Sequence, residues 1–344
     1  MSERSTARNV IEAIRSALDG ELERDDMVML LGQDIGRLGG VFRATQGLEA
    51  KYGRNRVFDT PLSEAAIIGS AIGLAITGMR PVAEIQFLGF TAQAFHQIGP
   101  QLARIRQRSR GRFHCQVTIR APFGGGIRSP EFHSDAIEAQ FVQTPGIKIV
   151  MPANPYDAKG LLLSSIRDPD PVLFCEPDRL YRLGRSPVPD GEYLVPLGTA
   201  AQLREGSDVT LVAWSAAVEL CERAADLLHD EGISVSVIDL RTLVPLDIDM
   251  LVNSVVKTGR CVVVHEAPLS AGFGAEVVST LMEEAFYDLK APIARVAGYD
   301  IPYPPASLED LYLPSVERVT SAVRQQLLLE RPAIADSNPV PPWR

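Results

Sequence analysis

Twice along this chain, short apolar runs bounded by glycine, proline or charge alternate with longer stretches of helical spacing, and few folds other than parallel α/β sheets accommodate that pattern. The first series places strands at 27–31, 57–60, 82–87, 116–119, 147–151 and 172–175. It places helices at 7–19, 61–79 and 157–166, with one long helix between the third and fourth strands. For the helix at 61–79, Thr60 is the expected N-cap and Pro61 the first helical residue. The second series predicts strands at 209–214, 234–239 and 261–264 and helices at 216–230, 248–256 and 274–284. Between the two series, residues 176–205 are rich in Pro, Gly and charge, as in a connector or a small hairpin. Two domains follow, one over 1–185 and a smaller one over 206–330, joined by a connector at 186–205. A proline-rich extended tail is expected at 331–344.

A chain of 344 residues, 46% hydrophobic and 22% charged, can fill two such cores. Its net charge of -9 and the absence of any long basic stripe argue against nucleic acid as a partner. The five arginines at 104, 106, 108, 110 and 112 read as a solvated helix end or subunit contact. The charged N-terminus is unlike a secretory signal, and no apolar run reaches the roughly 18 residues needed to span a bilayer. A cytoplasmic protein, or one of an organelle matrix such as the mitochondrial, is expected. Cys115, Cys175, Cys221 and Cys261 are far apart without CxxC spacing, which points to buried thiols and away from disulfides or zinc.

Two places carry possible chemistry. Glu64 is the sole charge in the small-residue helix 61–79, which is apolar on every side and expected to be buried all round. It serves either the positive end of the helix dipole or a proton-transfer and hydrogen-bonding task in a dry site. In RAPFGGGIRSPEFHSDAIEA, Gly124–Gly126 precede His133, Ser134 and Asp135, as in an active-site loop or a plain glycine turn. His96, His114 and His229 lack partner patterns. Gly272 and Gly274 faintly suggest a dinucleotide fingerprint, but Val277 stands in the third glycine's place, so close packing at a helix start explains them better.

Taken together, RVFDTPLSEAAIIGSAIGLAITG, PVAEIQFLGFTAQAFHQI, RAPFGGG with FHSD, and VMPANPYDAKGLLLSSIRDPDPVLFCEP resemble the beta subunit of thiamine-diphosphate-dependent 2-oxo acid dehydrogenases. The resemblance continues in order through SDVTLVAWS, VIDLRTLVPLD, VVVHEAPLSAGFGAEV and DIPYP. GGVFRATQGLEAKYGRNRVFDTPLSE and EIQF look most like the branched-chain type, with pyruvate and acetoin types close behind. The resemblance implies a transketolase-like pyrimidine-binding domain followed by a smaller α/β C-terminal domain. It implies oxidative decarboxylation of a branched-chain 2-oxo acid such as 3-methyl-2-oxobutanoate, with acyl transfer to the lipoyl group of an acyltransferase core.

Residue by residue, Glu64 matches the glutamate that hydrogen-bonds the cofactor's aminopyrimidine nitrogen, Phe90 the aromatic that stacks on that ring, and Gln86 and Leu62 neighbouring pocket positions. His133 matches the histidine that projects toward the reactive end of the cofactor and assists acyl transfer. Positions matching a monovalent-cation (K+) site are Val117, Ser165, Ile166, Asp168 and Asp170, although DPDP is equally a turn. Gln33, His96 and Asp135 depart from the family pattern, which leaves proton relay, substrate preference and loop contacts in doubt. The family's magnesium-binding GDG motif is missing from this chain. Mg2+ and diphosphate are therefore expected on an alpha subunit, in an alpha-two, beta-two heterotetramer. A chain of another class, a non-catalytic assembly partner, is the alternative that the retained Glu64, Gln86, Phe90 and His133 oppose.

Overall fold

The computed structural model describes residues 4–328, which divide into two compact units. Among these, the first comprises residues 4–198 with Arg241–Pro245, and the second Thr199–Leu240 with residues 246–328. The boundary thus falls inside the segment read as a connector, and the proline-rich tail lies outside the described residues.

The first unit is a seven-stranded sheet flanked by helices. In chain order it contains β1 (Ser5–Arg8), α1 (Val10–Arg24), β2 (Val28–Gly32), α2 (Leu48–Tyr52), β3 (Val57–Asp59), α3 (Glu64–Ile76) and β4 (Arg80–Glu84). There follow α4 (Ile105–Arg108), β5 (Thr118–Phe123), α5 (Glu138–Val142), β6 (Lys148–Val150), α6 (Pro155–Arg167), β7 (Val172–Pro177) and β8 (Ser186–Pro189). The strand order is β12-β6-β7-β5-β4-β2-β3, parallel except for β12 (Thr242–Val244), which pairs antiparallel with β6 at one edge. β1 and β8 form a separate antiparallel pair.

The expected helix at 7–19 is displaced to α1, because Asn9 makes a capping box with Glu12 and residues 5–8 are drawn into β1. The long helix expected before β5 is broken into 3-10 turns at Leu88–Ala94 and Leu102–Arg104, a π turn at Gln97–Gln101, and the short α4. Pro100 lies inside the π turn, where its ring and missing N–H prevent a regular helix.

α3 also differs from expectation. It starts at Glu64 with Ser63 as N-cap, and it buries Ile67, Ile68, Ala71, Ile72 and Ala75. Ala66, Ser70, Gly73 and Ile76 are exposed, so within this chain the helix is buried on one side only.

The second unit carries β9 (Ala201–Arg204), β10 (Val209–Ala213), α7 (Ala216–Asp230), β11 (Val235–Asp239), α8 (Ile248–Thr258) and β13 (Cys261–Pro268). It continues with α9 (Phe273–Glu284), β14 (Ala294–Gly298), α10 (Glu309–Tyr312) and α11 (Val316–Leu328). Its order is β14-β13-β10-β11-β9, parallel except for β9. The four cysteines are free and buried. Among the described residues no helix is long and apolar enough to cross a membrane.

Candidate active site

In the first sheet the chain runs from β2 to β3 on one side and then to β4 on the other, so the strand order reverses between β2 and β4. In open parallel sheets, ligands bind outside the carboxyl ends of the strands at such a reversal. The residues singled out from sequence emerge there. Leu62 and Glu64 follow β3, Gln86 and Phe90 follow β4, and His133 follows β5.

Three aromatic side chains meet at this end. The His133 ring lies 4.6 Å from Phe87 and 5.1 Å from Phe90, centroid to centroid, edge-on to both, and Phe87 and Phe90 are 5.6 Å apart. Nδ1 of His133 is buried without a hydrogen-bond partner. The turn at Glu131–His133 is brought in by two local features. Gly124 and Gly126, after β5, adopt left-handed φ angles of 95° and 96°. At Gly89 a Cβ would fall 2.4 Å from the Phe132 carbonyl oxygen, so only glycine permits the approach. Asp135 lies beside the same glycine, and burial, with Glu131 nearby, pushes its carboxyl above the ordinary range.

Glu64 is half-buried at the start of α3, and Gln86 and Phe90 are half-buried; Leu62 is 68% exposed. This set can stack on a flat heteroaromatic ring, hydrogen-bond its nitrogens through an amide and a carboxylate, and offer an imidazole for proton handling. His96 is exposed on the broken helix and Gln33 is half-buried just past β2.

The positions matching a cation site lie elsewhere, near the amino ends of β5 and β7. The Val117 carbonyl accepts from the Val172 N–H at 3.0 Å and the Ile166 carbonyl from Gln116 Nε2 at 2.8 Å. The Ser165 carbonyl accepts from the Asp168 N–H at 3.3 Å. Asp168 binds Lys148 Nζ at 2.5 Å, and Asp170 holds Arg106 Nη1 at 2.6 and 2.7 Å.

The sequence reading passed over the charges buried in the strands that lead to these residues. Arg120 in β5 is 1% exposed; its Nη1 donates to Glu84 at 2.6 Å, and its Nε and Nη2 donate to Glu176 at 2.6 and 2.9 Å. Tyr181 Oη donates to Glu176 at 2.5 Å. Single charges inside the apolar runs VAEIQF and VTIRAPF were the available signal, since a buried charge requires a partner. In the second unit, His265 was also missed. It is fully buried, stacked on Trp214 at 5.1 Å and 8°, and closed in by Gly272 and Gly274, where a Cβ would come within 2.7 and 2.6 Å of the ring. Close packing is therefore what those two glycines provide.

Comparison with known proteins agrees with this architecture. Residues 6–184 match the transketolase pyrimidine-binding domain and residues 198–319 the transketolase C-terminal domain. The chain is 50% identical over 318 residues to a protein of Staphylococcus epidermidis named "Pyruvate dehydrogenase E1 component subunit beta", covering 92% of this chain and 98% of the relative. Proteins of the same name from Bacillus subtilis and Acholeplasma laidlawii are 49% identical (92% and 98% covered) and 48% identical (92% and 97% covered). Among solved structures, "Split gene transketolase, inactive beta4 tetramer" superposes with a TM-score of 0.76 at 26% identity, covering 95% of this chain and 100% of that one. The chain belongs to the transketolase-like family, among the beta subunits of thiamine-diphosphate-dependent 2-oxo acid dehydrogenases.

Proposed function

We propose that this chain is the beta half of a pyruvate dehydrogenase, which acts with an alpha subunit and passes the acyl group to a lipoyl acceptor on an acyltransferase core. The observation that carries the reading is the grouping of Phe87, Phe90 and His133 at the strand-order reversal, with Gln86 and Glu64 on the adjoining segments, in a domain of the pyrimidine-binding family. The branched-chain preference expected from sequence yields here to pyruvate, because relatives identical at 48–50% over nearly their whole length carry the pyruvate name. GGVFRATQGLEAKYGRNRVFDTPLSE and EIQF keep branched-chain acids as the second reading.

The residues fit the cofactor's pyrimidine half. Phe90 would stack on the ring, Gln86 and Glu64 would hold its nitrogens, Leu62 would border it, and the unpartnered Nδ1 of His133 would handle a proton at the reactive end. Bound thiamine diphosphate supplies the electron sink that makes decarboxylation possible. Glu64 would fix the ring's tautomer through its hydrogen bond, and the aromatic cluster would orient the ring. The magnesium and diphosphate are assigned to the alpha partner, because this chain lacks the GDG motif.

Leu38, Val41, Leu62 and Phe132, on the loops after β2, β3 and β5, are 54%, 47%, 68% and 61% exposed, and the outward face of α3 is built of small and apolar residues. Both features suit cover by another polypeptide. The potassium expectation finds less support, since Asp168 and Asp170 already face an ammonium and a guanidinium.

The test is co-expression with the alpha chain and an artificial-acceptor decarboxylase assay with thiamine diphosphate and magnesium. The substrates are pyruvate, 3-methyl-2-oxobutanoate and 4-methyl-2-oxopentanoate. Preference for pyruvate supports the proposal, preference for the branched acids transfers it to the sister enzyme, and no thiamine-dependent turnover of any acid overturns it.

A further inference from the structure

Arg120 stands in the middle of the first sheet and binds carboxylates on both neighbouring strands, Glu84 on β4 and Glu176 on β7. Glu84 is 6% exposed, Glu176 fully buried and Tyr181 1% exposed. Burying such a cluster is expensive, and apolar residues of similar volume commonly give equal or better stability, so stability by itself does not account for it.

Its two ends lead to the same ring. On one side Glu84 ends β4, and the chain continues directly into Gln86 and Phe87. Gly40, at φ +80°, brings the loop after β2 so near that a Cβ there would lie 3.2 Å from Glu84 Oε1. On the other side Tyr181, hydrogen-bonded to Glu176, packs its ring 4.9 Å from Phe42, a residue of that loop, and Phe42 lies 5.6 Å from Phe87. Phe87 in turn touches both Phe90 and His133.

We infer that Arg120 is the positioning residue of the pyrimidine pocket, setting the turn that carries Gln86 and Phe87 through Glu84 and bracing the far side of Phe87 through Glu176, Tyr181 and Phe42. The rings of Phe90 and His133 are thereby held in one arrangement before cofactor arrives. The inference rests on the reading of this end of the domain as the thiamine diphosphate site. Burial pushes the Glu84 carboxyl upward, with Arg120 drawing it down and Glu176 pushing it further up, so an uncharged side chain is tolerable at that position.

Two variants of the alpha–beta complex test it, with thiamine diphosphate affinity measured by calorimetry and the thermal midpoint measured separately. The triple variant Arg120→Met, Glu84→Gln, Glu176→Gln removes the charges while keeping the volume. Tyr181→Phe removes only the hydroxyl that ties Phe42's support to Glu176. The expected result is a roughly tenfold weaker Kd in the triple variant and a roughly threefold weaker Kd in Tyr181→Phe, with midpoints within a few degrees of the parent. Unchanged Kd in both variants, whatever the midpoint, overturns the inference and leaves the cluster a structural one. If the triple variant does not fold, an unchanged Kd in Tyr181→Phe overturns it alone. Failure of the parent complex to bind thiamine diphosphate defeats the underlying functional reading and is seen before any variant is compared.

Discussion

The imidazole of His133 stands edge-on to Phe87, centroids 4.6 Å apart and planes 65° from parallel, with its Nδ1 buried and unpartnered. A side chain fixed by rings on two sides and free to accept or donate at one nitrogen suits proton handling at a set point. Replacing His133 by Asn should lower acyl transfer to a lipoyl domain by about 10²-fold or more, the usual worth of a positioned acid–base group. Loss of the ring contacts should cost stability only about 1 kcal/mol. Parallel lipoyl-acylation and dye-reduction assays check this; equal rates for variant and parent in the lipoyl assay would remove His133 from the mechanism.

Glu64 opens α3, where the helix dipole also favours a carboxylate. The two roles differ in size. Glu64→Gln should cost about 0.5 kcal/mol if only the dipole is served, but about 10²- to 10⁴-fold in turnover if the side chain works on the cofactor ring. The proposal expects the second, with the alpha–beta assembly intact by size-exclusion chromatography. Full activity would return Glu64 to a helix-start role.

His265 gives the second unit an acid sensitivity of known sign. Burial, with Arg295 adding repulsion, lowers its pKa to about 3 from an ordinary 6.5, although the Ala267 backbone favours the protonated ring. Between those values the unfolded chain binds a proton that the folded chain refuses. The stabilising contribution is therefore complete above pH 6.5 and is lost as pH falls toward 3. By pH 5 the loss should be about 2 kcal/mol. Urea unfolding at pH 7 and pH 5 measures it, and His265→Gln should flatten the pH slope whatever its effect at pH 7. A slope identical to the parent's would refute the assignment.

Ser215 follows β10 with φ 54° and ψ -136°, a conformation that suits glycine, and its buried Oγ has no partner. Relief of both should outweigh the extra chain entropy of glycine, so Ser215→Gly is expected to stabilise the fold by about 1 kcal/mol. Chemical denaturation checks the sign, and a destabilised variant would mean that the hydroxyl has a partner in solution.

The architecture was legible because the central parallel strands, buried on both faces, announce themselves as short apolar runs, whereas edge strand β14, with Ala294 and Arg295 half-buried, carries no such run and was not anticipated. The fragmentation before β5 was legible in principle from Gly99 and Pro100, but the surrounding apolar spacing masked it. The one-sided burial of α3 was not legible at all. A helix of small and apolar residues looks the same whether its second face meets its own chain or another's.

The sequence by itself determined the two α/β units, the family, and that Glu64, Gln86, Phe90 and His133 match its site positions. Local periodicity suffices for the two units, because burial of a strand or of a helical stripe is dictated by neighbours a few positions away, and the family and its matching residues follow from the resemblance of motifs in order along the chain. Only the tertiary structure decided which charges meet at Arg120, which rings enclose His133, and that His265 stacks on Trp214. Arg120 lies 36 residues from Glu84 and 56 from Glu176 along the chain. Strand order alone makes them neighbours, and a buried charge finds its partner only once that order has formed.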